Sequence, residues 1–170
     1  MTAAARPLPP SLVPVLPPKL AAAGQEFCVY GTEYLPLQAN AVRQQASFKV
    51  GEDHAFLIVA AARLYLTEGN AIIANDEALA LVTMGPVSSS QQLIQPTAPL
   101  ANDSPVDHWF GIGKAWSYWS YPFCVRPNET FVVALTNLEA VARNYRLSFI
   151  GAKLYRSRDV DPWAWARGGF

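Results

Sequence analysis

Asp53-His54 and Asp107-His108 are the residues of this chain best equipped for chemistry. A histidine acts as a general base when a carboxylate orients its ring, so each pair holds two of the three groups of a hydrolytic triad. Sequence neighbours on a strand point to opposite faces, however, which argues against either pair working as a unit. Two histidines also fall short of the three or four ligands of a zinc site unless Asp or Glu completed it. Both pairs stand beside turn signals, where Asp commonly binds backbone groups. No catalytic residue, no metal site and no cofactor site is therefore expected, and the chain does not read as an enzyme.

Other motifs lead to the same expectation. Gly111-Ile112-Gly113-Lys114 combines glycine with lysine but lacks the Walker spacing and a following helix signal. There is no Gly-x-Ser-x-Gly elbow and no His-Glu-x-x-His pair. Asn128-Glu129-Thr130 fits a glycosylation sequon, yet without a secretion signal it reads as a turn. Cys28 and Cys124 are too few for a disulfide framework; they could pair in an oxidising compartment, but two buried thiols are the expectation.

The aromatic cluster Trp109, Phe110, Trp116, Tyr118, Trp119 and Tyr121 is the remaining candidate. Aromatic platforms on β-sandwiches stack on sugar rings, which makes a carbohydrate-binding module a rival reading. In Trp119–Val125 the aromatic side chains share one parity, as core or subunit-interface packing requires.

These residues must be held by one domain. The chain has 170 residues, 51% of them hydrophobic and 15% charged, too apolar for a disordered chain. Its 13 basic and 13 acidic residues cancel, so it lacks the positive field that binding to nucleic acid needs. From Arg143 onward, six basic residues face only Asp159 and Asp161. That stretch is a solvated basic tail or a dock for an acidic protein surface.

Six prolines fall within the first 18 residues. They exclude a signal peptide's helical core and impose extended, polyproline-like chain. Leu8, Leu12, Val15, Leu16 and Leu20 punctuate this arm, and a solvated arm gains nothing from them. The expectation is that the arm docks on its own body, a sister subunit or another protein. Trp163, Trp165 and Phe170 give the last residues the same character. No apolar run approaches the ~20 residues that span a bilayer, so a protein made in a cytoplasm without a membrane anchor is expected. The organisation reads as an arm (1–24), a β domain (25–157) and an aromatic tail (158–170).

Within the domain, hydrophobicity alternates with period two. Ala46, Phe48 and Val50 face one way; Phe131, Val133 and Leu135 form another inward face. Ala55 to Leu66 is apolar on both faces, as a central strand is, although its length also fits a buried helix. Ala78 to Met84 is predicted to end at Gly85-Pro86, with a long surface excursion from Val87 to Val106. Pro122 places its strand at a sheet edge or a bulge. Tyr145, Leu147 and Phe149 point one way and Ala152 and Leu154 the other, so a bulge is predicted at Gly151 to keep both sets facing the core. About eight strands with turns between them predict an all-β, antiparallel sandwich of jelly-roll type.

Phe131-Val-Val-Ala-Leu-Thr-Asn137 and Tyr145-Arg-Leu-Ser-Phe-Ile-Gly-Ala-Lys-Leu-Tyr155, together with the apolar arm, resemble the small jelly-roll decoration or cement proteins of tailed-phage heads. The resemblance implies a virion protein, a homo-oligomer and most simply a trimer, that stabilises the head by bridging capsid subunits. It implies that Leu8, Leu12, Val15, Leu16, Leu20, Trp163, Trp165 and Phe170 bind the partner. A neck, fibre-base or baseplate part would use a similar sandwich.

Overall fold

The computed structural model describes residues 25–73, 78–87, 100–111 and 116–155. Eight strands run in chain order: β1 (Gln25–Leu37), β2 (Arg43–Lys49), β3 (His54–Thr67), β4 (Ala80–Val87), β5 (Ala101–Pro105), β6 (Ser117–Val125), β7 (Thr130–Asn137) and β8 (Arg143–Tyr155). A five-residue helix, α1 (Val106–Phe110), separates β5 from β6. The strands form two four-stranded sheets, β1-β8-β3-β6 and β2-β7-β4-β5, with every neighbouring pair antiparallel. First pairs with last, second with seventh, third with sixth and fourth with fifth. This rolled-up hairpin is the jelly-roll order the alternating pattern predicts.

The core between the sheets is aromatic. Phe48 stacks on Phe131 with centroids 5.3 Å apart, and Phe149 meets Phe131, Phe48 and Phe110 at 5.3 to 5.5 Å. Trp119 closes the cluster against Phe149 and donates its indole N–H to the Trp109 carbonyl at 2.9 Å. Tyr34 crosses from one sheet to the other, its hydroxyl donating to the Val133 carbonyl at 2.6 Å. A buried Tyr hydroxyl without such a partner would carry a desolvation penalty of about 1–3 kcal/mol.

The predicted bulge exists, but on a different strand. Ile58 pairs with Gly151 and Ala60 with Ile150, so Val59 is the extra residue and the bulge lies on β3. The β8 strand passes Gly151 without a change of phase. Ala152 and Leu154 therefore join Ile150, Ala55, Leu57, Val59 and Ala60 in a second buried cluster on the outward side of the sheet. The reason lies at Gly151, where a Cβ would come within 1.8 Å of the Leu57 carbonyl oxygen. Only glycine lets β3 and β8 approach this closely.

Two other boundaries differ from expectation. The β4 strand continues through Gly85 and Pro86 to Val87, pairing Pro86 with Phe131. A proline is admissible there because β5 pairs with β4 only from Leu81 to Met84. The excursion after Val87 is also shorter than predicted, because residues 101–110 form β5 and α1. Ala-Asn-Asp-Ser-Pro has little strand propensity; Asp103 holds it in place by accepting from Thr83 Oγ1 at 3.0 Å. Pro122 behaves as predicted. β6 is an edge strand, and its register with β3 shifts between Phe123 and Tyr118.

Candidate interaction site

Among the described residues, nine large hydrophobic side chains are exposed, and six of them lie in or beside the connections at one end of the sandwich. Antiparallel alternation brings the β1–β2, β3–β4, β5–β6 and β7–β8 connections to that end. Leu35 and Val42 flank the first, Ile72 and Leu79 lie in the second, and Leu138 and Val141 ride on the fourth, whereas Trp116 precedes a β6 whose Ser117 pairs with Ala61, short of that end. Exposed apolar groups scattered singly are ordinary, whereas clustered ones mark contact surfaces.

The loops that carry these side chains are bonded to one another. The Leu138 amide donates to the Leu79 carbonyl at 2.8 Å, and the Asn40 and Ala41 amides donate to Glu139 and Asn137 at 3.0 and 2.8 Å. Asn137, fully buried, organises the β7–β8 turn. Its Nδ2 donates to the Val141 carbonyl at 2.9 Å, and its Oδ1 accepts from the Glu139 amide at 3.0 Å. Beneath the turn, the Tyr65 hydroxyl donates to Glu139 Oε1, while Arg143 Nε donates to Glu139 Oε2 at 2.9 Å and to Tyr65 Oη at 3.1 Å. Burial pushes the Tyr65 phenol up to about 12, and the Glu139 carboxylate adds to the rise. Asn144 ties in the β3–β4 loop by donating to Asn70 Oδ1 at 2.9 Å. The apolar end is a braced platform.

The two Asp-His pairs have different fates. Asp53 and His54 do form a unit, contrary to the opposite-face expectation, because Asp53 lies in the bend before β3 and only His54 is in the strand. His54 Nδ1 is 2.6 Å from Asp53 Oδ1, and Tyr30 Oη is 3.1 Å from His54 Nε2. The hydrogen bond from His54 holds the Asp53 carboxyl below its ordinary range. The relay runs inward: the Tyr30 ring stacks on Phe48 at 4.7 Å and meets Phe56 at 4.6 Å. It orients Tyr30 in the core. In the second pair, His108 is exposed and Asp107 turns away to Arg63. Among the described residues, no group of three or more His, Cys, Asp or Glu could hold a metal ion, and no helix is long and apolar enough to cross a membrane.

The aromatic cluster divides. Phe110 and Trp119 are buried and Trp109 packs edge-on against Trp119 at 5.4 Å, whereas Trp116 and Tyr118 are exposed beside each other at the start of β6. Cys28 packs against the main core and Cys124 against the outward cluster, and neither forms a disulfide. The partner-binding residues predicted from sequence (Leu8, Leu12, Val15, Leu16, Leu20, Trp163, Trp165 and Phe170) lie outside the described residues. The loop-end platform was missed because its side chains are scattered between residues 35 and 141 and share no periodicity. Only the rolled topology collects them.

The fold and this platform define an antiparallel jelly-roll sandwich with an apolar, braced end. No family model and no curated protein sequence matches the chain.

Proposed function

We propose that this chain is a structural virion protein of the capsid decoration or cement class, a homotrimer that stabilises a phage head by bridging capsid subunits. The observation that carries the self-association is the collection of Leu35, Val42, Ile72, Leu79, Leu138 and Val141 at one braced end. A jelly roll serves many functions, so the fold alone favours none. The virion setting comes from the resemblance of the β7 and β8 segments and the arm to decoration proteins. In this reading, copies meet through their loop ends about a cyclic axis, burying side chains worth roughly 1.5–3 kcal/mol each when removed from water. Gln25 pairs with Leu154, so arm and tail leave side by side from the opposite end. The outer part of the arm and the tail are the segments assigned to the shell, where many modest contacts per trimer sum by avidity.

Light scattering on the purified full chain tests the first step. A mass three times the 18.6 kDa chain is expected, falling to one chain in Leu79→Ser/Leu138→Ser, whose altered side chains are exposed. A monomeric unmodified chain overturns self-association. Exposed Trp116 and Tyr118 favour a second reading, a carbohydrate-binding module. Glycan affinity lost on Trp116→Ala/Tyr118→Ala would then take precedence.

A further inference from the structure

The outward face of the first sheet carries a second buried apolar cluster. Leu57 is 0% exposed, and Ala152 and Leu154 are each 1% exposed. Ala62 and Cys124, which pack against the cluster, also belong to this sheet, and no residue from another described element joins it. A sheet face bare to water would leave these side chains half open.

The face is divided along its length. Toward the loop end it is polar, carrying Gly31, Ser148 and the Glu33–Arg146 ion pair at 3.3 Å. Toward the other end it is apolar and shallow, floored by Ala55, Ala60 and Ala152 between Leu57, Ile150 and Leu154. The apolar half lies beside the point where the chain enters β1, since Gln25 pairs with Leu154.

We propose that the root of the N-terminal arm, with Leu12, Val15, Leu16 and Leu20, lies across this apolar half of its own chain's sheet. Reach is ample: polyproline chain rises about 3.1 Å per residue, whereas Ile150 to Leu154 spans only ~13 Å of strand. Its composition suits the task, since the 24 residues before Gln25 hold only Arg6 and Lys19 as charged side chains. The 15 residues after Tyr155 compete from the same end but carry five charges, Arg156, Arg158, Asp159, Asp161 and Arg167, which are expensive to bury. Pro7, Pro9, Pro10, Pro14, Pro17 and Pro18 lack N–H donors. The arm is therefore poorly made to extend the β1 edge as a ninth strand and well made to lie on a face through its side chains. Anchoring the root leaves residues 1–11, with Leu8, to reach outward from a fixed point. This inference is independent of the loop-end contact.

Cys124 reports on it, because its side chain packs against the cluster while Cys28 faces the core. Alkylation by iodoacetamide, read at each cysteine by peptide mass spectrometry, is compared in the full chain, a chain lacking residues 1–24, a chain lacking residues 158–170, and full-length Leu12→Ser/Leu16→Ser. Removing or altering the arm is expected to speed reaction at Cys124 by about tenfold or more, with Cys28 unchanged. Protection in the full chain should not depend on protein concentration, whereas the light-scattering mass does if copies meet at the loop end. Cys124 released only by loss of the tail, or unaffected in Leu12→Ser/Leu16→Ser, overturns the proposal. Protection lost on dilution also overturns it, placing a second copy's arm on the face. If truncation exposes Cys28 in step with Cys124, the truncated chain has loosened throughout, and the full-length double variant decides.

Discussion

Arg63 Nε lies 2.6 Å from Asp107 Oδ1, with the two side chains 2% and 13% exposed. The pair clips α1 to β3. Arg63 Nε also donates to the Gly111 carbonyl at 2.9 Å just past the helix, and Asp107 Oδ2 accepts from the Ala78 amide at 2.9 Å. A buried ion pair adds little net stability, but breaking it strands a charge. Arg63→Met is expected to cost ~3–5 kcal/mol in urea unfolding. Arg63→Met/Asp107→Leu should recover part of that loss, though not the Ala78 hydrogen bond. A double variant weaker than the single one would show that the Asp107 hydrogen bond to the Ala78 amide outweighs the relief of its stranded charge.

Gly151 tolerates no side chain. The 1.8 Å approach to the Leu57 carbonyl is to backbone, which cannot swing aside. Gly151→Ala should lower stability by about 3 kcal/mol or more and separate β3 from β8. Hydrogen exchange would register the separation as lost protection along both strands. A stable, fully protected Gly151→Ala chain would refute the close approach.

Ala41 follows Asn40 in the β1–β2 turn, and both have φ of 61°. Alanine meets a steric penalty of roughly 1–2 kcal/mol in this left-handed region, and glycine does not. Ala41→Gly should therefore raise the melting temperature, offset in part by greater chain freedom in the unfolded state. Scanning calorimetry checks the direction; a fall would mean the unfolded-state term dominates.

Asp53 predicts an acid-side dependence. Its folded carboxyl is depressed by His54, so its contribution is present above the unfolded value near ~3.9 and is lost as pH falls through the folded one. The stability gap between the native chain and Asp53→Asn should thus be open at neutral pH and close below about pH 4. Urea midpoints across that range measure it, and a gap that stays constant would remove the linkage. Gly51→Ala should narrow the same gap from another direction, since its Cβ would lie 2.8 Å from both Asp53 Oδ1 and His54 Cε1.

Sequence pattern was sufficient for the sandwich because most strands bury one face, and burial writes itself as alternation. Phe131, Val133 and Leu135 are inward as their parity requires. It was insufficient where a strand is held by something other than its apolar face. β5 hangs on Thr83 and Asp103, and neither its composition nor its period announces a strand. At Gly151 the pattern marked the right place and the wrong strand, because a parity change in one strand does not say whether the chain bulges or a second face is buried. The braced platform was illegible for a different reason: it exists only once three separate connections meet. The partner-binding residues inferred in arm and tail lie outside what the structure describes.

Val59 gives β3 two hydrophobic phases in a single strand, one serving Phe56 and Ile58, the other Ala61 and Tyr65. What that position supplies is a count, and the side chain is secondary. Substituting it should be mild, while removing it would turn one half of the strand inside out, sending either Phe56 and Ile58 or Ala61 and Tyr65 out of the core. Length here is itself information: an insertion or deletion at residue 59 is read as a change of facing along everything that follows, as a frameshift is read along a message.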